Sequence, residues 1–479
     1  MGQGSEQAEA GARPGGAGAP PAAGAPRTLG ELRAQAIEAH QAGALDAAFA
    51  AYRAYLQRRP RDSGIWTNLG ALLRRRGEHL AAAACQRRAQ ALAPEDAAIL
   101  NNLGNALQDA DLLDEALEIR REVLRRRPGD ADAHAMLAVT LRALGRMDEA
   151  QATAEAGLAL HPADGELRVQ RAMAMLAAGD YARGFPAFDA RWEIGEIAKG
   201  DAPGPEWAGE PLEGRRILVL PEQGFGDTIL MSRFLPALKA RGAHVILAVK
   251  PPLKRLFQGV EGVDALVEIG APRPQADFTT YMMDLPGRLG CDAARLPPSP
   301  KLRVPGDSRS RARRLLQPWE GMLRVGVCWS GSVTYKANFK RSFGPERFLP
   351  LARIPGVQLF SLYKGPLLEG FRRSPASALI VDAAGEERDF ADAAATIREL
   401  DLVVTMDTAV AHLAAALGRP VWNLLAYSPF WLYGHAGEAT PWHPTMRLVR
   451  QPAPGDWDGP METVARGVSD LAARKGARP

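Results

Sequence analysis

The first half of the chain carries its small and apolar positions in a fixed phase. Prolines stand at Pro60, Pro94, Pro128 and Pro162, each 34 residues from the next. In the unit beginning at Ser63, Trp66, Leu69, Gly70 and Leu73 line one face of a first helix, Ala82 and Ala89 line a second, and Pro94 ends it. The phase returns in Leu100, Leu103, Gly104, Leu107 and Ala116, and again in Leu137, Ala138, Leu141 and Ala150. An earlier unit starts near Leu29, with Ala36 and Ala48. A later one starts near Gly165, with Ala172, Met175 and Gly184, then loses the pattern at FDARWE, residues 188–193. Such a pattern predicts stacked helix pairs. Small residues let paired helices approach, proline stops the second helix, and each pair buries its apolar stripe only against a neighbour.

From Arg216 the period changes. RILVLP, HVILAV and ALVEIG read as buried strands separated by helical segments. A proline-rich linker follows at Pro297–Pro305. A second series then runs LRVGVCWSG, VQLFSLY, ALIVD, LDLVVTM, VWNLLA and MRLVRQ. Strand–helix alternation predicts parallel sheets covered on both faces, and two series predict two such domains facing each other. Ligands of such sheets bind beyond the carboxyl ends of the strands, so the cleft between the domains is the expected site. The resulting plan is a tail over 1–28, helical repeats over 29–200, a first α/β domain over 201–300 and a second over 301–479.

Composition narrows the function. With 479 residues the chain has room for two or three domains, and 46% hydrophobic with 24% charged residues is an ordinary globular balance. A net charge of +4 is thin for this length. Without a basic block interleaved with aromatics, no nucleic-acid partner is expected, whereas an anionic small ligand is compatible. Cys85, Cys291 and Cys328 are far apart and odd in number, so reduced, buried thiols are expected rather than disulfides or a zinc site. No run of about 20 apolar residues predicts a membrane span. The first residues, rich in Gly, Ala and Pro, lack a basic start and an apolar core, which predicts a disordered tail and no signal peptide. A cytoplasmic location is the expectation.

Three strand ends could carry chemistry. In LDLVVTMDTAVAHLAAALGRP, a strand ends at Met406, Asp407 and Thr408 are good N-cap residues, and helix follows to Leu417. The free N–H groups at Thr408, Ala409 and Val410 then face the cleft with the positive end of the helix dipole, a ready anion site, and His412 can face the same spot. The plainer alternative is a capped helix with His412 satisfying a backbone group. In CWSGS and the following loop, Ser330 and Gly331 suit a phosphate wrap, and Lys336, Lys340 and Arg341 supply charge. A merely solvated basic loop is the alternative. In EQGFGDTIL, Gly224 and Gly226 permit close approach beside Gln223, and Asp227 stands where a helix begins. Its carboxylate serves either as a cap alone or as a base for an attacking hydroxyl.

The repeat segment resembles the tetratricopeptide family over roughly its whole length. QGFGDTILMSRFLPAL, VGVCWSGS and VVTMDTAVAHLAAALGRPVW, with PWHPTMRLVRQ and GDW further on, resemble the heptosyltransferase-like family of nucleotide-sugar glycosyltransferases. That likeness covers most of Arg216 to Ala473. It implies an α plus α/β architecture: a tetratricopeptide α-solenoid followed by GT-B type twin Rossmann-like domains, acceptor on the first and donor on the second. It also implies an inverting, metal-independent transfer with no cofactor beyond the nucleotide diphosphate sugar. Asp227 matches the family's base. Asp407, Thr408, Ala409 and His412 match its diphosphate site, with Ser330 and one of Lys336, Lys340 or Arg341 matching its loop contacts. Tyr363 and Lys364 are weaker candidates for a base or ribose contact. YMMDLP, Tyr281–Pro286, departs from the family pattern on the acceptor side. The layout is also similar to the O-linked N-acetylglucosamine transferases, an analogy that leaves the substrate open. A protein or peptide held by the repeats is the expected acceptor. A glycan or lipopolysaccharide-type acceptor, a non-catalytic repeat adaptor and a structural homo-oligomer stand as alternatives.

Overall fold

The computed structural model describes residues 28–195, 199 and 203–476. The predicted tail therefore lies outside the described residues, save Thr28. The chain forms two compact units, one up to Ala110 and one from Asp111.

The first unit holds α1 (Leu29–Gln41), α2 (Leu45–Arg58), α3 (Ser63–Arg75), α4 (His79–Leu92) and α5 (Ala97–Asp109). The second opens with α6 (Leu113–Arg126), α7 (Ala131–Ala143), α8 (Met147–Leu160), α9 (Gly165–Ala177) and α10 (Tyr181–Ala187). From α3 onward, the first helix of each pair starts where an aspartate two residues after a repeat proline can cap it, whereas α1 is capped by Thr28. Asp62, Asp96, Asp130 and Asp164 each accept an N–H from the first turn of the helix that follows. Where helices cross, side chains are too small to hold them apart. Ala48, Ala82, Ala116 and Ala150, spaced as the repeat, are fully buried. A Cβ on Gly157 would lie 2.8 Å from Leu167 Cδ1 and 2.9 Å from His134 Cβ.

The second unit continues into two sheets. β1 (Arg216–Leu220), β2 (His244–Val249), β3 (Ala265–Glu268) and β4 (Phe278–Tyr281) lie in the order β3-β2-β1-β4. β5 (Leu323–Cys328), β6 (Val357–Ser361), β7 (Ile380–Asp382), β8 (Leu402–Met406), β9 (Val421–Leu425) and β10 (Met446–Arg450) lie in the order β10-β9-β8-β5-β6-β7. Every pairing is parallel. Each strand read from the apolar runs is present. β4 is additional: its FTTY sequence carries two threonines, yet both are buried.

This topology decides where a ligand can sit. In the first sheet the chain moves from β1 out to β2 and β3, then returns to the other side of β1 as β4. In the second it moves from β5 to β6 and β7, then returns beside β5 as β8. Each reversal leaves the loops after its two central strands diverging, which is where open sheets of this kind bind ligands. The segment from Pro221 to Asp227 leaves the first reversal. The loop after β5 and the turn at Asp407 and Thr408 leave the second.

The composition changes near residue 200, but the compact units part between Ala110 and Asp111. The later repeats share their core with the sheets. Leu176, Tyr181 and Phe185 belong to one buried cluster with Ile217, Val219, Val325 and Val404. Trp442 Nε1 donates to the Tyr181 hydroxyl (2.8 Å), and Ser428 Oγ donates to the Ala143 carbonyl (2.7 Å). The three cysteines are free and buried. Among the described residues no helix is long and apolar enough to cross a membrane.

Candidate functional site

The helix after β8 runs Ala409–Ala416. Its sequence, AVAHLAAA, is rich in strong helix formers. Thr408 is its N-cap: the backbone is extended there, and Thr408 Oγ1 accepts from Val410 N–H at 3.2 Å. Asp407 is thereby released from capping, a task the sequence assigned to both residues. It instead accepts from Arg341 Nη1 (3.2 Å, Oδ2) and from the Tyr433 hydroxyl (3.0 Å, Oδ1). Arg341 also lies over the Tyr335 ring, 4.6 Å from its centroid. Its Nε is buried and has no partner among the described residues. Thr408 and Ala409 remain half-buried at the mouth of the helix.

His412 is buried one turn in. Rather than satisfying a backbone group, its Nδ1 lies 3.0 Å from His443 Nε2. Burial pushes the His412 imidazole down to about 4, and burial beside His412 pushes His443 well below its ordinary value. Both rings are neutral near pH 7, and one proton bridges them. With His443 Nε2–H as the donor in that pair, His412 keeps its proton on Nε2 and can offer a hydrogen bond to an anion, not a full charge.

The first sheet brings up a second helix mouth. The helix Phe225–Met231 begins after Gly224, and Asp227 is its third residue, not its cap. Asp227 Oδ2 accepts from Gly224 N–H at 2.9 Å. Burial raises the Asp227 carboxyl to about 6, opposed by the Gly224 N–H and reinforced by the negative charge of Asp407. The two mouths meet. A Cβ on Gly226 would lie 2.8 Å from His412 Cδ2, 3.3 Å from Ala409 Cα and 3.6 Å from Ala409 N. Only a residue without a side chain allows that approach. Gly226→Ala must move backbone as well as imidazole, and overpacking of this kind costs about 1–3 kcal/mol. A thermal melt followed by circular dichroism should show a lowered transition; an unchanged one would mean that the mouths separate freely.

The remaining candidates divide. Gly331 belongs at the mouth: its added Cβ would lie 3.2 Å from Arg341 Nη2 and 3.5 Å from Thr408 Cγ2. Ser330 is buried and shapes the loop instead, its Oγ accepting from Asn338 Nδ2 (3.0 Å) and from Ser342 (3.1 Å). Lys336 is exposed on the same loop. Lys340 turns away to Asp111. The Tyr363 ring is buried against Trp329, and the Lys364 ammonium is bonded to the Glu387 carbonyl, so neither side chain joins the mouth of the Ala409–Ala416 helix. Gln223 contributes its carbonyl, which accepts from Lys250 Nζ at 2.6 Å.

Several residues around the site escaped the sequence reading. Tyr433 and His443 stand beyond β9, and only the PWHP stretch drew attention to the second. Glu222, one residue before Gln223, is buried in an ion-pair cluster with Arg191 and Asp284. Its partners come from FDARWE, where the repeat pattern fails, and from YMMDLP. That departure in sequence therefore coincides with a structural cluster.

The geometry defines a class: paired parallel-sheet domains whose topological reversals present two helix mouths to each other, preceded by helical repeats. The family model for glycosyltransferase family 9 (heptosyltransferase) matches residues 376–451, and a tetratricopeptide repeat model matches residues 131–164. The first match contains Asp407, Thr408, His412, Tyr433 and His443. Protein FlbA of Caulobacter vibrioides is 28% identical over 328 residues, covering 62% of this chain and 54% of that protein. The chain thus spans about half the length of the curated relative it matches. Similar solved structures include a glycosyl transferase family 9 protein from Veillonella parvula (16% identity, TM-score 0.44, 56% of this chain and 100% of that one). They also include a tetratricopeptide repeat protein from Parabacteroides merdae (19% identity, TM-score 0.32, 35% of this chain and 66% of that one). The family matches support a glycosyltransferase domain following a tetratricopeptide repeat region.

Proposed function

We propose that this chain transfers a sugar from a nucleoside diphosphate sugar to an acceptor hydroxyl, with inversion and without a metal. The donor diphosphate lies against the N–H groups of Ala409 and Val410, where the helix dipole favours negative charge. Arg341 and Gly331 flank it, and His412 donates one hydrogen bond. Asp227 takes the proton of the acceptor hydroxyl as its oxygen attacks the sugar carbon. The bond from that carbon to the diphosphate oxygen breaks, and the nucleoside diphosphate leaves with the electron pair. One observation carries this reading: the helix that holds Asp227 meets the helix that would hold the diphosphate, within 3.3 Å of an added Cβ on Gly226.

The acceptor in this proposal is a protein, since tetratricopeptide repeats support protein interaction, and the location is cytoplasmic. The test is incubation of the full chain with a panel of nucleoside diphosphate sugars and a whole-cell lysate, read by mass spectrometry. A protein gaining the mass of one sugar is expected. Labelled glycan or lipid-linked product without modified protein would move the acceptor to a saccharide. If no nucleoside diphosphate binds in a calorimetric titration, the transferase reading falls and the adaptor takes its place.

A further inference from the structure

Four interhelix turns of the repeats place a glycine in the left-handed region: Gly43 (φ 76°), Gly77 (φ 77°), Gly145 (φ 76°) and Gly179 (φ 85°). Gly43 and Gly77 are 34 residues apart, as are Gly145 and Gly179. The position that completes this series is Asp111, which holds the same conformation with a side chain (φ 57°). Among the described residues it is the one non-glycine residue with positive φ. An L-residue is disfavoured there, although aspartate tolerates the region better than most. Glycine would satisfy the turn at no conformational cost.

What the side chain obtains is a distant partner. Asp111 Oδ1 lies 2.5 Å from Lys340 Nζ, on the loop after β5, and both side chains are about four-fifths buried. The following turn touches the same α/β domain in the opposite way. At Gly145 an added Cβ would lie 3.0 Å from the His435 ring, so no side chain fits. One turn is bare where the domain presses an imidazole against it, and the other carries a carboxylate where the domain presents an ammonium. Lys340 and Arg341, adjacent in the chain, are consequently turned to different carboxylates, Asp111 and Asp407.

We propose that Asp111 is a positioning residue: its ion pair with Lys340 holds the loop after β5 in place, so that Arg341 stays turned to Asp407 and the mouth of the Ala409–Ala416 helix. This rests on the reading of that mouth as the donor diphosphate site. Lys340 is then an anchor and Arg341 the loop's cation for the ligand, and the repeats complete the donor site.

The test compares full-length protein with Asp111→Gly and Asp111→Asn. Glycine relieves the backbone and asparagine retains tolerance of it; both remove the charge. Asp111→Gly should melt above Asp111→Asn, since only glycine frees the turn of its conformational cost. Hydrogen–deuterium exchange over residues 332–341 should nevertheless quicken at least about tenfold in both variants. Calorimetric titration with inorganic pyrophosphate should show about fivefold weaker binding in both. Unchanged exchange in that loop overturns the inference, as does faster exchange with unaltered pyrophosphate affinity. Wild-type protein that binds no pyrophosphate, with the loop still loosened in both variants, would support the anchor and sink the donor-site reading instead.

Discussion

Asp227→Asn should lower sugar transfer by about 10²–10⁴-fold while leaving nucleoside diphosphate affinity nearly unchanged. The size follows from the proposed role of a general base, and the selectivity follows from the placement of Asp227 on the helix opposite the mouth proposed for the diphosphate. Asparagine keeps an oxygen that can accept from Gly224 N–H, so the start of the Phe225–Met231 helix is preserved. Stability gives a control with a definite sign. Burial raises the folded carboxyl to about 6, above the ordinary aspartate value. The folded state therefore binds the proton more tightly than the unfolded chain. The stability this contributes is present in acid and is lost as pH rises through about 6. At pH 7.5 the charged, half-buried carboxylate is a burden that asparagine removes, so the variant should melt no lower than wild type. Wild-type kcat/KM should climb about tenfold between pH 5 and pH 7 as the base deprotonates, and the residual activity of the variant should lack that limb. Full turnover in Asp227→Asn at pH 7.5 would remove the residue from the chemistry. A limb retained in the variant would assign the titration to another group.

How far this site was readable depended on how local its determinants are. The helix at Ala409 is specified by neighbours: an extended threonine whose hydroxyl meets an N–H two residues on, a run of helix formers, and Gly418 in the left-handed region. Spacing alone reveals such a feature. Which of Asp407 and Thr408 does the capping was not readable, because it turns on Arg341 and Tyr433, 66 and 26 residues away in the chain. The His412–His443 pair is likewise a product of the parallel sheet that brings β8, β9 and β10 together. β4 escaped because two buried threonines weaken its apolar signature. Asp111 is a different case. The glycine spacing that exposes it lies in the sequence, but an aspartate in a turn is unremarkable until Lys340 is seen across from it.

Arg191→Met should destabilise the protein by about 3–5 kcal/mol, the cost typical of stripping one partner from a buried ion pair. Arg191 comes from the short helical turn Phe188–Trp192 that ends the repeats. Its guanidinium donates twice to Glu222 Oε2, at 3.1 and 2.9 Å, and makes a very short contact with Asp284. All three side chains are at most 2% exposed. Glu222 Oε1 also accepts from Met283 N–H at 2.9 Å, so the cluster ties the end of β1 to the segment after β4. Burial pushes the Glu222 carboxyl up to about 7 even against the pull of Arg191. Without the guanidinium, Glu222 loses the charge that opposes its burial, and its folded protonation is favoured further. Stability contributed by such a raised group is lost as pH rises through its folded value. The deficit of Arg191→Met should thus be larger at pH 8 than at pH 5, measured by urea unfolding at both. Adding Glu222→Gln and Asp284→Asn removes the uncompensated charge and should recover part of the loss at pH 8. A deficit that ignores pH, or a triple variant no better than the single one, would mean that Arg191 acts through packing on Phe188 and Trp192, whose rings lie 4.9 and 4.5 Å from its guanidinium carbon. In the expected case the charge cluster is what joins the last repeat to the strand end from which Gln223, Gly224 and Asp227 are displayed. Asp227, the proposed base, then owes its placement to a residue of the repeat region 36 positions earlier in the chain.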